Sequence, residues 1–289
     1  MTESLSPESP STSESPSAES ADVLALTVAY RARFDESGPD GLLRSSGFMR
    51  WAQDCAWLHS EHLGFTRNWY ASRGLWWLVR CAELNILADV RMGETVSVTT
   101  SIIGYRKVWA RRRTEFARDG ERVATALTDW VITDARGAPT RVPEEFLSRF
   151  RGHVQTFTPG RVLLPPTPAG ADRHSIEVRA ADIDPMAHVN NAAYVDYIDE
   201  SLPADPLGAW AQRIPRRYRL EYVAAAGPGD QLAAESWISG NGIGHRLVGA
   251  DGSEVLRATL DGQTANAAFR EAVATRRAWH APGKDAGAG

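Results

Sequence analysis

The sequence contains little cysteine and lacks the usual signals for membranes, secretion and nucleic acids. Its 289 residues include two cysteines, Cys55 and Cys81, which are too few for a disulfide framework and whose apolar surroundings indicate buried free thiols. The formal net charge of −4 argues against general nucleic-acid binding. No apolar run is long enough to span a bilayer, and the N-terminus lacks the basic and apolar regions of a secretory signal. We therefore predict a globular protein of the cytoplasm.

Sequence signatures for phosphate, metal and serine-nucleophile chemistry are also missing. The chain has no glycine-rich phosphate loop, no cluster of metal ligands at a binding spacing and no nucleophile elbow around a serine. The sequence accordingly predicts neither a cofactor nor a metal site.

Composition divides the chain into two units with a tail at each end. Residues 1–22 are rich in Ser, Pro and Glu and almost free of apolar residues, which predicts disorder, and residues 279–289 are predicted to be a flexible tail. The chain as a whole is 43% hydrophobic and contains ten tryptophans, enough for a substantial core. We predict an N-terminal unit at 23–152, a Pro- and Gly-rich linker at 153–173 and a C-terminal unit at 174–278.

The two units repeat each other at an offset of 146 positions. The matching pairs are Arg33 and Arg179, Phe48 and Tyr194, Trp51 and Tyr197, and Asp54 and Glu200. Helical spacing of apolar residues predicts one helix per unit, at about 48–63 and about 190–202. Predicted strands are Leu75–Leu84, Thr95–Gly104, Trp109–Arg118, Val123–Thr133, Arg216–Ala224, Gln231–Gly240, Gly244–Ala250 and Glu254–Gly262. The pattern predicts an α+β fold in which an antiparallel sheet wraps around one helix per unit.

Residues suited to acid–base chemistry cluster at the start of the second predicted helix. Within eight positions the chain places Asp184, His188, Asn190 and Asn191. Histidine titrates near neutral pH and can activate water, while Asp184 could orient His188 or act as the base itself. The asparagines should cap the helix, whose first N–H groups could polarise a substrate carbonyl. The alternatives are a histidine that only bonds to the backbone and a turn-forming aspartate.

The same segment carries a family resemblance. Followed by an aromatic residue, Asp184 to Asn191 resembles the helix start of hotdog-fold thioesterases, and Met49–Ala56, Leu75–Val79 and Arg141–Glu145 extend the likeness. Residues 28–265 resemble the double-hotdog acyl-ACP thioesterases of bacteria and plant plastids. This resemblance implies a tandem hotdog, with two antiparallel sheets each wrapped around a central helix, and hydrolysis of fatty acyl-ACP to free fatty acid and ACP. Acyl-CoA hydrolysis, a hotdog dehydratase and a non-catalytic acyl-binding protein remain alternatives.

Two positions depart from the pattern of the plant enzymes. Met186 stands where the resemblance places an asparagine, and Ala225 stands where it places an acid. Three interpretations are open: Asp184, His188 and a water suffice, Asp40 or Asp54 substitutes for the missing groups, or the activity is weak. Asp54 is the candidate catalytic acid of the first unit, with a solvated helix face as the alternative.

The first unit contains no copy of the site sequence. At the positions that correspond to Ala187, His188 and Val189 it has Gly41, Leu42 and Leu43. We therefore expect one active site per chain, with the first unit supplying shape.

Substrate contacts are predicted from aromatic and basic residues. Trp76 and Trp77 should point to opposite faces of a strand, so Trp76 is a candidate for lining an acyl tunnel, with core packing as the alternative. A basic run, with Arg111 and Arg113 as its main candidates, could dock an acidic acyl carrier protein or the phosphates of CoA. The other members of this run are Arg106, Lys107 and Arg112. The alternative is a solvated strand with charges on both faces. The oligomeric state is a separate question, and a homodimer is left open.

Overall fold

The computed structural model describes residues 24–152, 154–202, 213–240 and 242–262. The predicted tails at 1–22 and 279–289, and the predicted end of the second unit at 278, lie outside the described residues. No helix within the described ranges is long and apolar enough to cross a membrane.

The described residues of each unit form five strands and one principal helix. In the first unit the elements are β1 (Ala25–Arg31), α1 (Ser45–His62), α2 (Arg67–Ala71), β2 (Trp76–Ile86), β3 (Thr95–Arg106), β4 (Trp109–Arg118), β5 (Glu121–Thr133) and α3 (Glu144–Arg149). In the second they are β6 (Asp172–Glu177), a 3-10 turn (Ala180–Asp182), α4 (Ala193–Ser201), β7 (Arg216–Tyr222), β8 (Gln231–Ser239), β9 (Gly242–Gly249) and β10 (Glu254–Gly262). The predicted strands are all present, with ends that differ by one or a few residues.

The ten strands form one continuous antiparallel sheet. Their order is β1-β3-β4-β5-β2-β7-β10-β9-β8-β6, so each half has the same internal order. The expected sheets of the two units are joined edge to edge, because β2 pairs with β7 from Cys81 opposite Glu221 to Ile86 opposite Arg216. Edge-to-edge pairing satisfies backbone groups that two separate sheets would expose to solvent.

The two principal helices differ slightly from their predicted bounds. Helix α1 starts at Ser45, and its predicted stripe of Phe48, Trp51, Ala52, Cys55 and His59 is buried as expected. Helix α4 starts only at Ala193, after the predicted position 190. The helix starts later than predicted because Asn190 forms a turn before it. In this turn the Asn190 side-chain oxygen accepts from the Ala192 amide and the Asn190 carbonyl accepts from the Ala193 amide.

Equivalent hydrogen bonds in the two halves confirm the internal repeat. In the first unit Trp51 Nε1 donates to the buried Glu36 at 3.1 Å. At the corresponding positions of the second unit, Tyr197 donates its hydroxyl proton to the buried Asp182 at 2.9 Å. Each bond anchors the principal helix of its unit to the segment that follows the first strand.

Helices α1 and α4 meet near the centre of the molecule. Arg50 and Asp196 occupy equivalent positions in the repeat, and their side chains form an ion pair across the two helices at 2.7 Å. Ser45 at the start of α1 also shares a 2.9 Å hydrogen bond with Tyr218 on β7. These contacts fix the two units against each other.

Two apolar clusters form the interior. The larger contains buried residues of both units, among them Phe48, Tyr197 and Leu256. The smaller belongs to the first unit and surrounds α3, with Phe65, Tyr70, Leu75, Ile102, Ile132, Val142, Phe146 and Phe150. The space between the two clusters is the location of the site described below.

The segment 154–171 crosses the face of the sheet opposite to α1, and we call it the strap. Three buried or half-buried carboxylates hold it. Asp129 accepts from the Gly160 amide at 2.7 Å, and Glu221 accepts from the Val162 amide at 2.9 Å. Further along, Glu235 accepts from the Thr167 hydroxyl at 2.7 Å. The predicted linker is therefore tied along the sheet by hydrogen bonds with both units.

Candidate active site

A cavity of about 750 Å³ opens between the two apolar clusters and is lined by both units. The first unit contributes residues of α1, α2 and β2, and the second contributes residues of 184–194 and 222–225. The loop before α4 and the central helix α1 therefore face the same space. A cavity of this size and apolar composition can hold a small organic substrate.

Asp184 and His188 lie together at this cavity. Their Oδ1 and Nδ1 atoms are 3.6 Å apart, with the Asp184 side chain 8% exposed and the His188 side chain 29% exposed. A tight turn brings them together, since the Asp184 amide donates to the His188 carbonyl at 2.9 Å and Asp184 Oδ1 accepts from the Met186 amide at 2.8 Å. The carboxylate thus faces the imidazole from a fixed position.

The turn holds one residue in an unfavourable backbone conformation. Ala187 has φ of +64°, in the left-handed region that side chains with a Cβ seldom occupy. In the first unit the equivalent residue is Gly41, with φ of +75°. Leu42 follows it in place of His188, so the same turn exists there without the imidazole.

Asn190 and Asn191 line the cavity and shape the start of α4. Asn190 Oδ1 accepts from the Ala192 amide at 2.9 Å in the turn before the helix, but the N-cap position of α4 is Ala192, which has no side-chain cap, so the expectation that the asparagines cap the helix is wrong. Asn191 is held through its backbone carbonyl, which accepts from the buried Tyr222 hydroxyl at 3.0 Å. Of α4 itself, Tyr194 lines the cavity together with His188, whereas Ala192 and Ala193 are buried.

The two departures from the expected pattern also line the cavity. Met186 and Ala225 both border it, so no carboxylate or amide is supplied from these positions. Among the described residues, the carboxylates that line the cavity are Asp54, Glu61 and Asp184. Asp40 is absent from this lining and accepts from the amide of Leu42 instead, so it is placed to shape a turn.

Asp54, on α1, lines the cavity, and its carboxylate accepts a hydrogen bond from another side chain. The Tyr30 hydroxyl donates to Asp54 Oδ2 at 2.6 Å. Burial raises the pKa of Tyr30 well above its usual value, and the Asp54 carboxylate raises it further. Tyr30 therefore stays protonated and keeps one oxygen of Asp54 occupied, which weakens the case for Asp54 as the base.

Both adjacent tryptophans border the cavity. Trp76 and Trp77 line it, and Trp77 also packs on Phe146, with ring centroids 5.7 Å apart. Trp77 Nε1 donates to the Tyr70 hydroxyl at 3.2 Å. Trp76 is thus placed where the sequence analysis expected a substrate contact, while Trp77 combines lining with core packing.

The basic run is divided between the two faces of β4. Arg111 forms a two-pronged ion pair with the buried Asp129, at 2.6 and 2.7 Å, and helps to hold the strap. Arg112 points the other way and is 7% exposed, so the expectation of one exposed basic run is wrong for this residue. Strand alternation places Arg113 with Arg111 on the face opposite to α1, where it is exposed.

The sequence analysis missed Arg112 as a cavity residue. A signal was present, because Ala110, Arg112, Thr114 and Phe116 alternate along β4 and the other three are typical of a buried face. The three consecutive arginines, Arg111 to Arg113, were instead interpreted together as one basic run. Tyr194 and Tyr222, which also line the cavity, were predicted only as helix and strand residues.

Comparisons with known proteins place the chain in a family. The model of the acyl-ACP thioesterase N-terminal domain matches residues 24–150, and that of the C-terminal domain matches residues 167–261. A chloroplastic acyl-[acyl-carrier-protein] hydrolase of Cuphea viscosissima is 25% identical over 277 residues, covering 87% of this chain and 66% of the relative. A chloroplastic palmitoyl-acyl carrier protein thioesterase of Arabidopsis thaliana is 24% identical, covering 82% of this chain. The chain spans 63% of the length of that second relative.

Solved structures share the fold. An acyl-ACP thioesterase from Bacteroides thetaiotaomicron superposes with a TM-score of 0.71 at 17% identity, over 84% of this chain and 98% of that one. The 12:0-ACP thioesterase from Umbellularia californica gives 0.69 at 21% identity, over 82% and 96%. The tandem hotdog expected from the resemblance is confirmed. With both domain models matched in order along one chain, this protein belongs to the acyl-ACP thioesterase family.

Proposed function

We propose that this protein hydrolyses fatty acyl-ACP to free fatty acid and ACP. The observation that carries the proposal is the pairing of Asp184 and His188 beside the start of α4, at the edge of a largely apolar cavity. An acid–base pair and a space for an acyl chain are parts that thioester hydrolysis needs. The family of the chain supports the same reaction.

In this mechanism His188 acts as the general base. Asp184 lies next to Nδ1, which favours the tautomer with the proton on Nδ1 and leaves Nε2 free to take a proton from water. The water oxygen attacks the thioester carbonyl and a tetrahedral intermediate with a negatively charged oxygen forms. Collapse of the tetrahedral intermediate breaks the carbon–sulfur bond, and the proton held by His188 passes to the leaving thiolate. Free fatty acid and thiol result.

The positions of the exposed arginine side chains bear on where an acidic carrier protein would approach the molecule. Arg67 lines the cavity and is exposed, whereas Arg113 lies on the opposite face of the sheet. We propose that the acidic carrier protein approaches the cavity mouth near Arg67 and not the strand face around Arg111 and Arg113. Since both cysteines are buried and unpaired, we further propose that the reaction takes place in the cytoplasm.

A direct assay tests the proposed function. Purified protein is incubated with acyl-ACP and acyl-CoA panels of several chain lengths, and free thiol is measured as it is released. We expect turnover of acyl-ACP, with kcat/KM above that for acyl-CoA of the same chain. Acyl-CoA as the better substrate at every length would transfer the proposal to a CoA thioesterase, and binding without thiol release would favour a non-catalytic acyl-binding protein.

A further inference from the structure

A buried arginine forms part of the cavity wall and has no acidic partner among the residues that the structure describes. Arg112 is 7% exposed and lines the cavity between Ala110, which also lines it, and Thr114 and Phe116, which lie in the packed interior. Cavity-lining positions on β4 therefore end at Arg112. By contrast, the exposed lining residues Asp54 and Arg67 belong to the solvent side of the cavity.

The hydrogen bonds of Arg112 leave much of its guanidinium unused. Nη1 donates to His59 Nδ1 at 2.8 Å and to Thr100 Oγ1 at 3.2 Å. In the described part of the chain, Nε and Nη2 donate to no protein group, and none of the ion pairs includes Arg112. A buried cation with unsatisfied donors is costly unless a ligand or water supplies the acceptors.

Neighbouring groups do not neutralise this charge. Burial lowers the pKa of Arg112 to about 10, so it remains cationic near neutral pH. Burial first, and the positive Arg112 second, lower the pKa of His59 to about 3, so the imidazole is neutral. Ser60 and Tyr70, which line the same end, are hydrogen-bonded to each other at 2.9 Å. The inner end of the cavity therefore has a net positive charge.

We propose that Arg112 selects acyl chains that carry a hydrogen-bond acceptor at the end remote from the thioester, with a terminal carboxylate as the best acceptor. This inference rests on the proposed thioesterase function and names the substrate class of the same cavity. A methyl end would remove water from the guanidinium without replacing its hydrogen bonds. A terminal carboxylate would accept from Nε and Nη2, a geometry that suits the planar guanidinium.

The test compares acyl-ACPs of equal length that end in a methyl, a hydroxyl or a carboxylate group. We expect kcat/KM for the carboxylate-ended chain to exceed that for the methyl-ended chain by at least about tenfold at the best length, with the hydroxyl between them. R112M should reduce this ratio by at least about tenfold, whereas R122M, the same change at an exposed strand position, should leave it unaltered.

A second measurement does not depend on turnover or on the folding of a variant. Calorimetry with wild-type protein compares free dicarboxylic acids with monocarboxylic acids of the same length, and tighter binding of the dicarboxylic acids is expected. Methyl-ended chains that are turned over and bound as well as carboxylate-ended chains, at every length, would overturn the inference and leave the proposed function intact. Absence of thiol release from every thioester would overturn the proposed function, while the binding comparison would still decide the role of Arg112.

Discussion

Asp184 and His188 are the residues on which the proposed chemistry depends. Because the proposed mechanism has Asp184 orient His188, the loss of either should impair the same step. We expect H188A and D184N each to lower kcat/KM for acyl-ACP by at least about tenfold, as is usual for the loss of an acid–base group. D184N keeps an oxygen that can accept from the Met186 amide, so it removes the charge while the turn is retained.

Asp54 provides the matched comparison. Since Tyr30 already donates to its carboxylate, D54N should lower kcat/KM less than D184N does. Kinetics of the three variants, with circular dichroism to verify folding, decide the assignment. Full activity in folded H188A and D184N would refute it, and a larger loss in D54N would transfer the role of the base to α1.

The positive φ of Ala187 and of its equivalent Gly41 predicts stability changes of opposite sign when the two residues are exchanged for glycine and alanine. An alanine at φ of +64° is strained and a glycine is not, so A187G should raise the free energy of unfolding by about 0.5–1 kcal/mol. G41A introduces the same strain at the equivalent turn, where an added Cβ would contact nothing, and should lower it by about 1 kcal/mol. Urea unfolding measures both, and changes of equal sign would contradict the prediction.

At the scale of elements, the strap depends on Asp129. This side chain is 3% exposed and accepts from Arg111 and from the Gly160 amide, so it joins β5, β4 and the strap. D129N would leave Arg111 without its partner in a half-buried position. We expect the free energy of unfolding to fall by about 2–3 kcal/mol, measured by urea denaturation.

An exposed ion pair between the same two strands, β4 and β5, serves as the control. Glu115 and Arg122 are 3.5 Å apart and well exposed, so E115Q should change the free energy of unfolding by less than about 0.5 kcal/mol. Equal effects of D129N and E115Q would show that the strap adds little to stability. In that case its role would be limited to connecting the units.

At the scale of the whole molecule, each unit buries one neutral histidine. His59 and His245 are both fully buried, and burial lowers the pKa of each to about 3. Between that value and the unfolded pKa of about 6.5, the unfolded chain binds a proton at each site that the folded chain does not. Stability is therefore complete above about pH 6.5 and declines as the pH falls.

The expected slope follows from the two protons. Between about pH 6 and pH 5, the two histidines should lower the free energy of unfolding by about 1.4 kcal/mol per pH unit each. Asp199 offsets part of this fall, because desolvation raises the pKa of its carboxyl to about 6 and the folded chain then binds a proton that the unfolded chain does not. Urea unfolding over this range measures the slope in the wild type and in H245Q. The slope in H245Q should be smaller than in the wild type by about 1.4 kcal/mol per pH unit, and equal slopes in the two proteins would contradict the prediction.

The approach of the carrier protein is also a property of the whole surface. With Arg67 at the cavity and Arg113 on the opposite face, R67E should lower kcat/KM for acyl-ACP by at least about fivefold at low ionic strength, and R113E should have a smaller effect. Added salt should reduce the difference between R67E and the wild type. A larger loss in R113E would restore the basic strand as the docking surface.

The sequence by itself determined the elements and their repetition. Helical spacing in α1, alternation in the strands and the acid–base cluster at Asp184 and His188 are signals between residues a few positions apart, so they can be recognised without a fold. The repeat could likewise be found by aligning the chain with itself. The family resemblance rested on the same short segments, and the matched domain models confirmed it.

Only the tertiary structure decided which groups share an environment. It joined the two sheets through β2 and β7, placed Asp54 against Tyr30, and paired Arg111 with Asp129 and Arg112 with His59. Each of these contacts joins residues that are far apart in the sequence. The burial and the charge pairing of a side chain depend on such distant neighbours, so they cannot be recognised in a short segment. For the same reason, the sequence alone did not indicate that Arg112 lines the cavity, since this depends on how β4 packs against α1.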